Sequence, residues 1–259
     1  MINLIRTAER TNDATSINNY IFYRHLFAYN SVPSCYLTGK DVLELGCGTG
    51  YGMKVLSERT NTYVAVDKKK PAVEVKASNT YYHQCHLPDL QTIPDESFDT
   101  IICFQVIEHI KEDDLLLAAI KRILRPRGVA FITTPNRFAT LVRNPFHIRE
   151  YTPGEFSQKI SGHFTQFDVT GVYGNEKVMA YYEANKNAVA KIVSFDRWDL
   201  INRMPAWLLR VPYSVMNNIN RIMLFLSVPE ETNNITDADF FVAPPGNNCL
   251  DLYAIIRKN

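Results

Sequence analysis

Apolar runs of strand length, bounded by turn residues, recur along the chain. Val42-Leu43-Glu44-Leu45, Tyr63-Val64-Ala65-Val66, Tyr81 to Cys85, Thr100 to Phe104, Val129 to Thr134, Phe164 to Val172 and Leu250 to Arg257 each read as a strand. Helix formers or helical spacing fill Tyr51 to Arg59, Ala72 to Ser78 and Leu115 to Leu124 between the early runs. The last of these helices is introduced by Glu112, Asp113 and Asp114, a charge order that suits a helix start, and Pro126-Arg127-Gly128 ends it. Strands alternating with helices predict a doubly wound α/β fold with a mostly parallel sheet.

Two further blocks have helical periodicity. Ser16 to Asn30 places Ile17, Tyr20, Ile21, Tyr23, Leu26 and Phe27 on one spacing, with Ser16 as the N-cap, after a polar start over residues 1 to about 15 that reads as loosely held. Between the last two strands, Val178 to Val193 is helical, Trp198, Trp207, Leu208 and Leu209 follow, and Val215 to Leu226 carries Met216, Ile219, Met223 and Leu226 on one face. This predicts a helical cap insertion, read first as core packing on the sheet. A pocket for an apolar acceptor and peripheral contact with a membrane surface stand as alternatives. The domain boundaries that follow are 1–40 for an N-terminal helical segment, 41–174 with 248–259 for the core, and 175–247 for the cap.

The chemistry gathers where strands end. Gly46, Gly48 and Gly50 alternate directly after the first strand, letting the chain turn sharply and approach a ligand ahead of a helix start. A dinucleotide turn needs G-x-G-x-x-G, and Tyr51 falls where that spacing wants glycine, which disfavours an NAD-dependent oxidoreductase. Asp67 ends the second strand, where a doubly wound fold sets an acid against ribose hydroxyls; a plain strand-end cap is the competing reading. Lys68-Lys69-Lys70 reads as a solvated turn, with Lys68 kept as a cofactor contact beside Asp67. The fourth strand delivers Gln105 to Ile110 at its carboxyl end, the ligand side of an open parallel sheet. His109 suits a general base, since histidine is the side chain that ordinarily exchanges a proton near neutral pH, unless it forms a structural pair with Glu108.

Glu44-x-Gly46-x-Gly48-x-Gly50 resembles the nucleoside-binding loop of class I S-adenosylmethionine-dependent methyltransferases. Val106-Ile107-Glu108-His109-Ile110 resembles a signature of their small-molecule members, and Arg122 to Asn136 resembles a further family passage in which glycine is frequent at the position of Arg127. Asp89 to Asp99 resembles, with a gap, the segment whose acid meets the adenine. Asn144 to Phe156 resembles a loop of methyltransferases from bacterial surface-polysaccharide and related pathways. The likeness covers about residues 16–173 and 249–258. It implies a seven-stranded Rossmann-like sheet whose last strand returns antiparallel between the fifth and sixth. It also implies S-adenosyl-L-methionine as cofactor, held by Arg24, Glu44, Gly46, Gly48, Gly50, Asp67, Lys68, Asp89, Leu90 and Gln105. A solvent-facing role competes for Arg24. His109 and His147 are the implied candidate bases, and Arg149 a contact for an anionic group on the acceptor, or else an ion-pair partner of Glu150. Quinone-ring O-methyltransferases use a comparable acidic array for a metal; Gln105 replaces its first acid here, so no metal is expected. The expected reaction moves a methyl to a small-molecule or glycan acceptor, with a hydroxyl oxygen favoured. A catalytically silent cofactor-binding or interaction protein that uses its cap is the alternative.

Composition narrows the rest. With 259 residues, 46% hydrophobic, the chain can build one large core, and a formal charge of +1 argues against a strongly electrostatic nucleic-acid binder. Arg122, Arg125 and Arg127 are its densest arginines, and a helix end explains them. The five cysteines form no CxxC pair and read as reduced thiols of a cytoplasmic protein, with no signal-peptide block and no run long enough to span a bilayer.

Overall fold

A computed structural model describes residues 19–72, 77–227 and 234–259. The expected N-cap at Ser16, the loosely held start and most of the helix expected from Ala72 lie outside these residues. The described chain forms two compact units, one from 25–139, 149–173 and 242–259, the other from 19–24, 140–148 and 174–241. Helix α1 (Asn19–Asn30) runs from the second unit into the first.

The sheet is built on strands β1 (Asp41–Leu45), β2 (Thr62–Asp67), β3 (Thr80–Gln84), β4 (Phe98–Phe104), β5 (Leu124–Pro135), β6 (Gln166–Gly174), β7 (Phe240–Ala243) and β8 (Asp251–Arg257), in the order β3-β2-β1-β4-β5-β8-β6-β7. β1 pairs in parallel with β2 and β4, and β2 with β3 and β4 with β5 likewise. β8 runs antiparallel between β5 and β6, as expected of the last strand. The sheet has eight strands where seven were expected. The extra one, β7, is four residues long with Phe241 and Val242 exposed, too short and too mixed to stand out as a pattern.

Helices α2 (Tyr51–Leu56), α3 (Asp113–Ile123) and α4 (Pro153–Ser161) accompany the sheet. Val42, Leu43 and Leu45 are fully buried, which is why β1 reads as a continuous apolar run rather than an alternating one. Leu116, Leu117, Ile120 and Ile123 of α3 join Leu43, Ile101 and Ile132 in one core cluster, each such side chain contributing about 1.5–3 kcal/mol on burial. α4 starts with a reciprocal cap: Thr152 accepts from Glu155 N, and the Glu155 carboxylate accepts from Thr152 N.

The smaller unit holds α5 (Glu176–Val193), α6 (Leu200–Arg203) and α7 (Ala206–Ser227). Asn175 caps α5 by accepting from Val178 N at 3.2 Å, and Tyr20 stacks on Tyr181 with ring centroids 4.8 Å apart. α7 passes straight through Pro212, so Trp207 to Leu209 and Val215 to Leu226 belong to one helix. An interior proline forfeits a hydrogen bond and costs about 3 kcal/mol, which is why the pattern reads as broken there. Met216, Ile219, Met223 and Leu226 are exposed, so the core-packing expectation for that face does not hold. Among the described residues no helix is long and apolar enough to cross a membrane.

Candidate active site

β1 runs out into a turn in which Gly46, Gly48 and Gly50 have φ of 74°, 58° and 91°, values that glycine reaches without strain. At Gly46 a Cβ would stand 2.5 Å from Val106 Cγ2, so the turn passes against the end of β4 only because no side chain intervenes. At Gly48 a Cβ would meet nothing within 4 Å, leaving open space on that side of the backbone.

Asp67, 8% exposed at the end of β2, ties this turn down. Its Oδ2 accepts from Gly48 N and its Oδ1 from Lys69 N, both at 2.9 Å. Lys68 is exposed, and its carbonyl accepts from Gln84 Nε2 at 2.9 Å.

Gln105, directly after β4, has φ 54°, a left-handed conformation that costs a non-glycine residue roughly 1–2 kcal/mol. It is held by its N–H on Thr133 O at 3.0 Å and by Nε2 on Thr133 Oγ1 at 3.3 Å. Strain of this kind collects at functional sites. One turn of 3-10 helix follows over Ile107–His109, with His109 N donating to Val106 O at 2.9 Å. Glu108 is buried and accepts from Thr134 Oγ1 at 3.1 Å, while half-buried His109 lies beside it in sequence. The chain therefore brings Gly46, Gly48, Asp67, Gln105 and His109 to the carboxyl ends of three neighbouring parallel strands.

Asp89 is exposed, but Leu90 is 1% exposed and packs in the core. Arg122 fixes this loop by donating to Leu90 O and Ile93 O at 2.8 Å each and by pairing with Asp95. Arg125 pairs with Asp41 at 2.9 Å and Asp99 at 2.8 Å, so these two arginines serve the fold.

Glu44 sits deeper than a ligand contact. It is 1% exposed and accepts from Tyr29 OH at 2.6 Å and Tyr63 OH at 3.0 Å. Burial lifts its pKa from 4.5 to about 7, against the pull of the two tyrosine hydrogen bonds. Gly52 closes the group, since a Cβ there would fall 2.2 Å from the Tyr29 ring and 2.5 Å from Glu44 Oε1. Sequence reasoning missed Tyr29, Tyr63 and Gly52; the one available signal was a fourth glycine continuing the alternation.

Arg149 finds its ion-pair partner elsewhere than at Glu150. It pairs with the buried Asp113 of α3, which also accepts from Tyr151 OH and from Lys159 Nζ at 3.2 Å. Burial works to raise the Asp113 pKa, but those hydrogen bonds and the Arg149 charge hold it below the usual carboxylate value. Arg24 and His147 belong to the smaller unit. Arg24 Nη1 donates to Tyr20 OH at 3.4 Å, with the guanidinium 5.5 Å from that ring centre. Asn144 Oδ1 accepts from Phe146 N, which turns its Nδ2 toward His147 Nε2 at 2.8 Å; that ring nitrogen accepts and its lone pair is taken.

A mostly parallel sheet with an antiparallel strand inserted near one edge and a glycine turn after β1 defines the Rossmann-like methyltransferase fold. A methyltransferase domain family matches residues 43–132. Two mycobacterial relatives carry the description probable S-adenosylmethionine-dependent methyltransferase. The one from Mycobacterium tuberculosis is 35% identical over 180 residues, 66% of this chain and 65% of that one. The one from Mycolicibacterium smegmatis is 32% identical over 184 residues, 64% of this chain and 68% of that one. The match thus takes in about two thirds of the length of these relatives. A ubiquinone biosynthesis O-methyltransferase of Pasteurella multocida is 29% identical over 118 residues, 39% of this chain and 48% of that one. Among solved structures, an S-adenosylmethionine-dependent methyltransferase of Thermotoga maritima shares the fold, with a TM-score of 0.56 at 14% identity over 93% of this chain and 91% of that one. This chain belongs to the S-adenosylmethionine-dependent methyltransferase family.

Proposed function

We propose that this protein moves a methyl group from S-adenosyl-L-methionine to a hydroxyl oxygen of a small-molecule or glycan acceptor. The observation that carries this reading is the Asp67 carboxylate, fixed by the amides of Gly48 and Lys69 at the ligand side of the sheet. The residues present fit the nucleoside: a strand-end acid of the kind that meets ribose hydroxyls in a doubly wound fold stands beside a glycine with open space next to its backbone. The cofactor supplies an electrophilic methyl on a positively charged sulfur. Asp67 holds the ribose, the Gly46–Gly50 turn admits the amino-acid portion, and the strained Gln105 offers strand-end backbone to its ammonium. Asp89 and Leu90 are assigned to the adenine, Lys68 to the rim beside Asp67, and Arg24 to the carboxylate, as the family resemblance implies. Glu44 supports the turn from below rather than touching the ligand. His109 takes the hydroxyl proton, worth about 10²–10⁴-fold in rate, with orientation of the two substrates supplying more.

His109 is preferred over His147 because Asn144 already occupies the His147 Nε2 lone pair. The name of the Pasteurella relative supports oxygen as the acceptor atom. The alternative, a silent binding protein that contacts a partner through its helices, is favoured only by exposed Phe195, Trp198 and Trp207. Calorimetric titration with S-adenosylmethionine, S-adenosylhomocysteine and NAD tests the proposal. Micromolar binding of both sulfur nucleosides without NAD is expected, followed by turnover on hydroxylated acceptors. No binding of either nucleoside overturns it.

A further inference from the structure

Helix α7 turns its polar side inward. A helix on the surface of a protein in water buries its apolar side and shows its polar side to the solvent. α7 instead buries Ser214, Asn220 and Arg221 beside Leu224, and Asn220 Nδ2 donates to Asn185 Oδ1 of α5 at 2.7 Å. Leu208, Val211, Ile219, Met223 and Leu226, spaced for one side of the helix, are exposed. No charge interrupts that side, since the charged residues of α7 are Arg221, which is buried, and Arg210, whose guanidinium lies 5.5 Å from the Phe146 ring centre.

The segment leading into α7 adds aromatic rings and positive charge. Phe195, Trp198 and Trp207 are 84%, 76% and 68% exposed. Arg197 and Arg203 stand between them in the chain, and Lys186 and Lys191 precede them on α5. The acids of this segment, Asp196 and Asp199, are both engaged. Asp196 accepts from the amides of Leu200 and Ile201 at 2.8 Å each, and Asp199 accepts from Asn202 Nδ2 at 2.7 Å and faces Arg203 at 3.9 Å. After Asp199 no acid occurs in the sequence before Glu230.

Aromatic rings and basic side chains beside a charge-free apolar helix face suit the boundary between lipid headgroups and acyl chains. Two copies of the chain meeting through this face would bring like charge to like charge, whereas an anionic headgroup layer draws each basic side chain in. We infer that this protein docks on an anionic lipid surface through α7, whose apolar side lies in the plane of the bilayer with Trp198 and Trp207 inserted beside it. The inference concerns the helical unit alone and stands whether or not methyl transfer is found.

Trp198 and Trp207 are the only tryptophans in the sequence, so tryptophan emission reads this face alone. Vesicles of equal parts phosphatidylglycerol and phosphatidylcholine should shift the emission of the full chain to shorter wavelength and carry the protein down on sedimentation. Bromine on their acyl chains should quench that emission. Pure phosphatidylcholine should bind about tenfold more weakly or worse, and added salt should weaken the anionic case. Ile219→Glu with Met223→Glu, both at exposed positions, should lower affinity by about tenfold or more, and Arg197→Gln with Arg203→Gln should do the same on anionic vesicles. If the variants do not fold, quenching of the unmodified protein by brominated lipid decides. No sedimentation with anionic vesicles, equal affinity for the two vesicle types, emission untouched by bromine, binding that survives either pair of substitutions, or a lipid-free dimer that Ile219→Glu with Met223→Glu dissolves would each overturn the inference.

Discussion

Asp67 already serves two backbone amides, so its removal acts on ligand binding and on turn architecture together. Asp67→Ala is expected to weaken S-adenosylmethionine binding by about 1.5–3 kcal/mol, the usual worth of hydrogen bonds to a charged group, measured by calorimetry; unchanged affinity would place the ribose elsewhere. His109→Ala should lower turnover by about 10²–10⁴-fold with cofactor affinity retained, and His147→Ala should lower it less. Equal losses in the two variants would remove the preference for His109. Glu44 predicts a pH effect of definite sign. Its folded pKa of about 7 lies above the 4.5 of the exposed group, so the unfolded chain ionises first as pH rises. Stability should therefore be greatest below pH 4.5 with respect to this group and fall by roughly 3 kcal/mol on the way to pH 7. Denaturant melts across that range should show the slope in the native protein and lose it in Glu44→Gln.

The strands and the glycine turn were legible because their signals are local: a buried strand is mostly apolar, and a left-handed turn favours glycine. Gly46→Ala makes that requirement measurable. It should cost roughly 1–2 kcal/mol for φ alone, plus the collision with Val106, and Val106→Ala should recover only the second part in a double-mutant cycle of melting free energies. Arg127, where the family frequently has glycine, has φ 64°, so the departure noted in the sequence falls at a backbone conformation that glycine suits. What the sequence could not display were pairings between distant positions. Tyr29 and Tyr63 meet Glu44 from other elements, and Arg149 reaches Asp113 across 36 positions, past the Glu150 next to it. α7 was obscured for a different reason, since Pro212 looks like a stop and the surrounding helix overrides it.

At the scale of the whole chain, ligand binding and folding are linked. S-adenosylmethionine at about a hundred times its Kd should add about 2.7 kcal/mol to the stability of the unit that binds it, visible as a rise in Tm of roughly 5–10 °C, with none from NAD. The smaller unit was foreseen as helical, but the exposure of Met216, Ile219, Met223 and Leu226 was not, because a helical stripe looks the same whether it faces a core or the solvent. The position of β8 has a consequence for biosynthesis. β5 and β6 both take their hydrogen bonds from Asp251–Arg257. A nascent chain that has reached residue 250 thus carries two unpaired strand edges facing a vacancy one strand wide, a state open to pairing with other chains. Translation must run through the last of these residues before the sheet can close, and a ribosome stalled just short of them releases a template for aggregation rather than a slightly shortened enzyme.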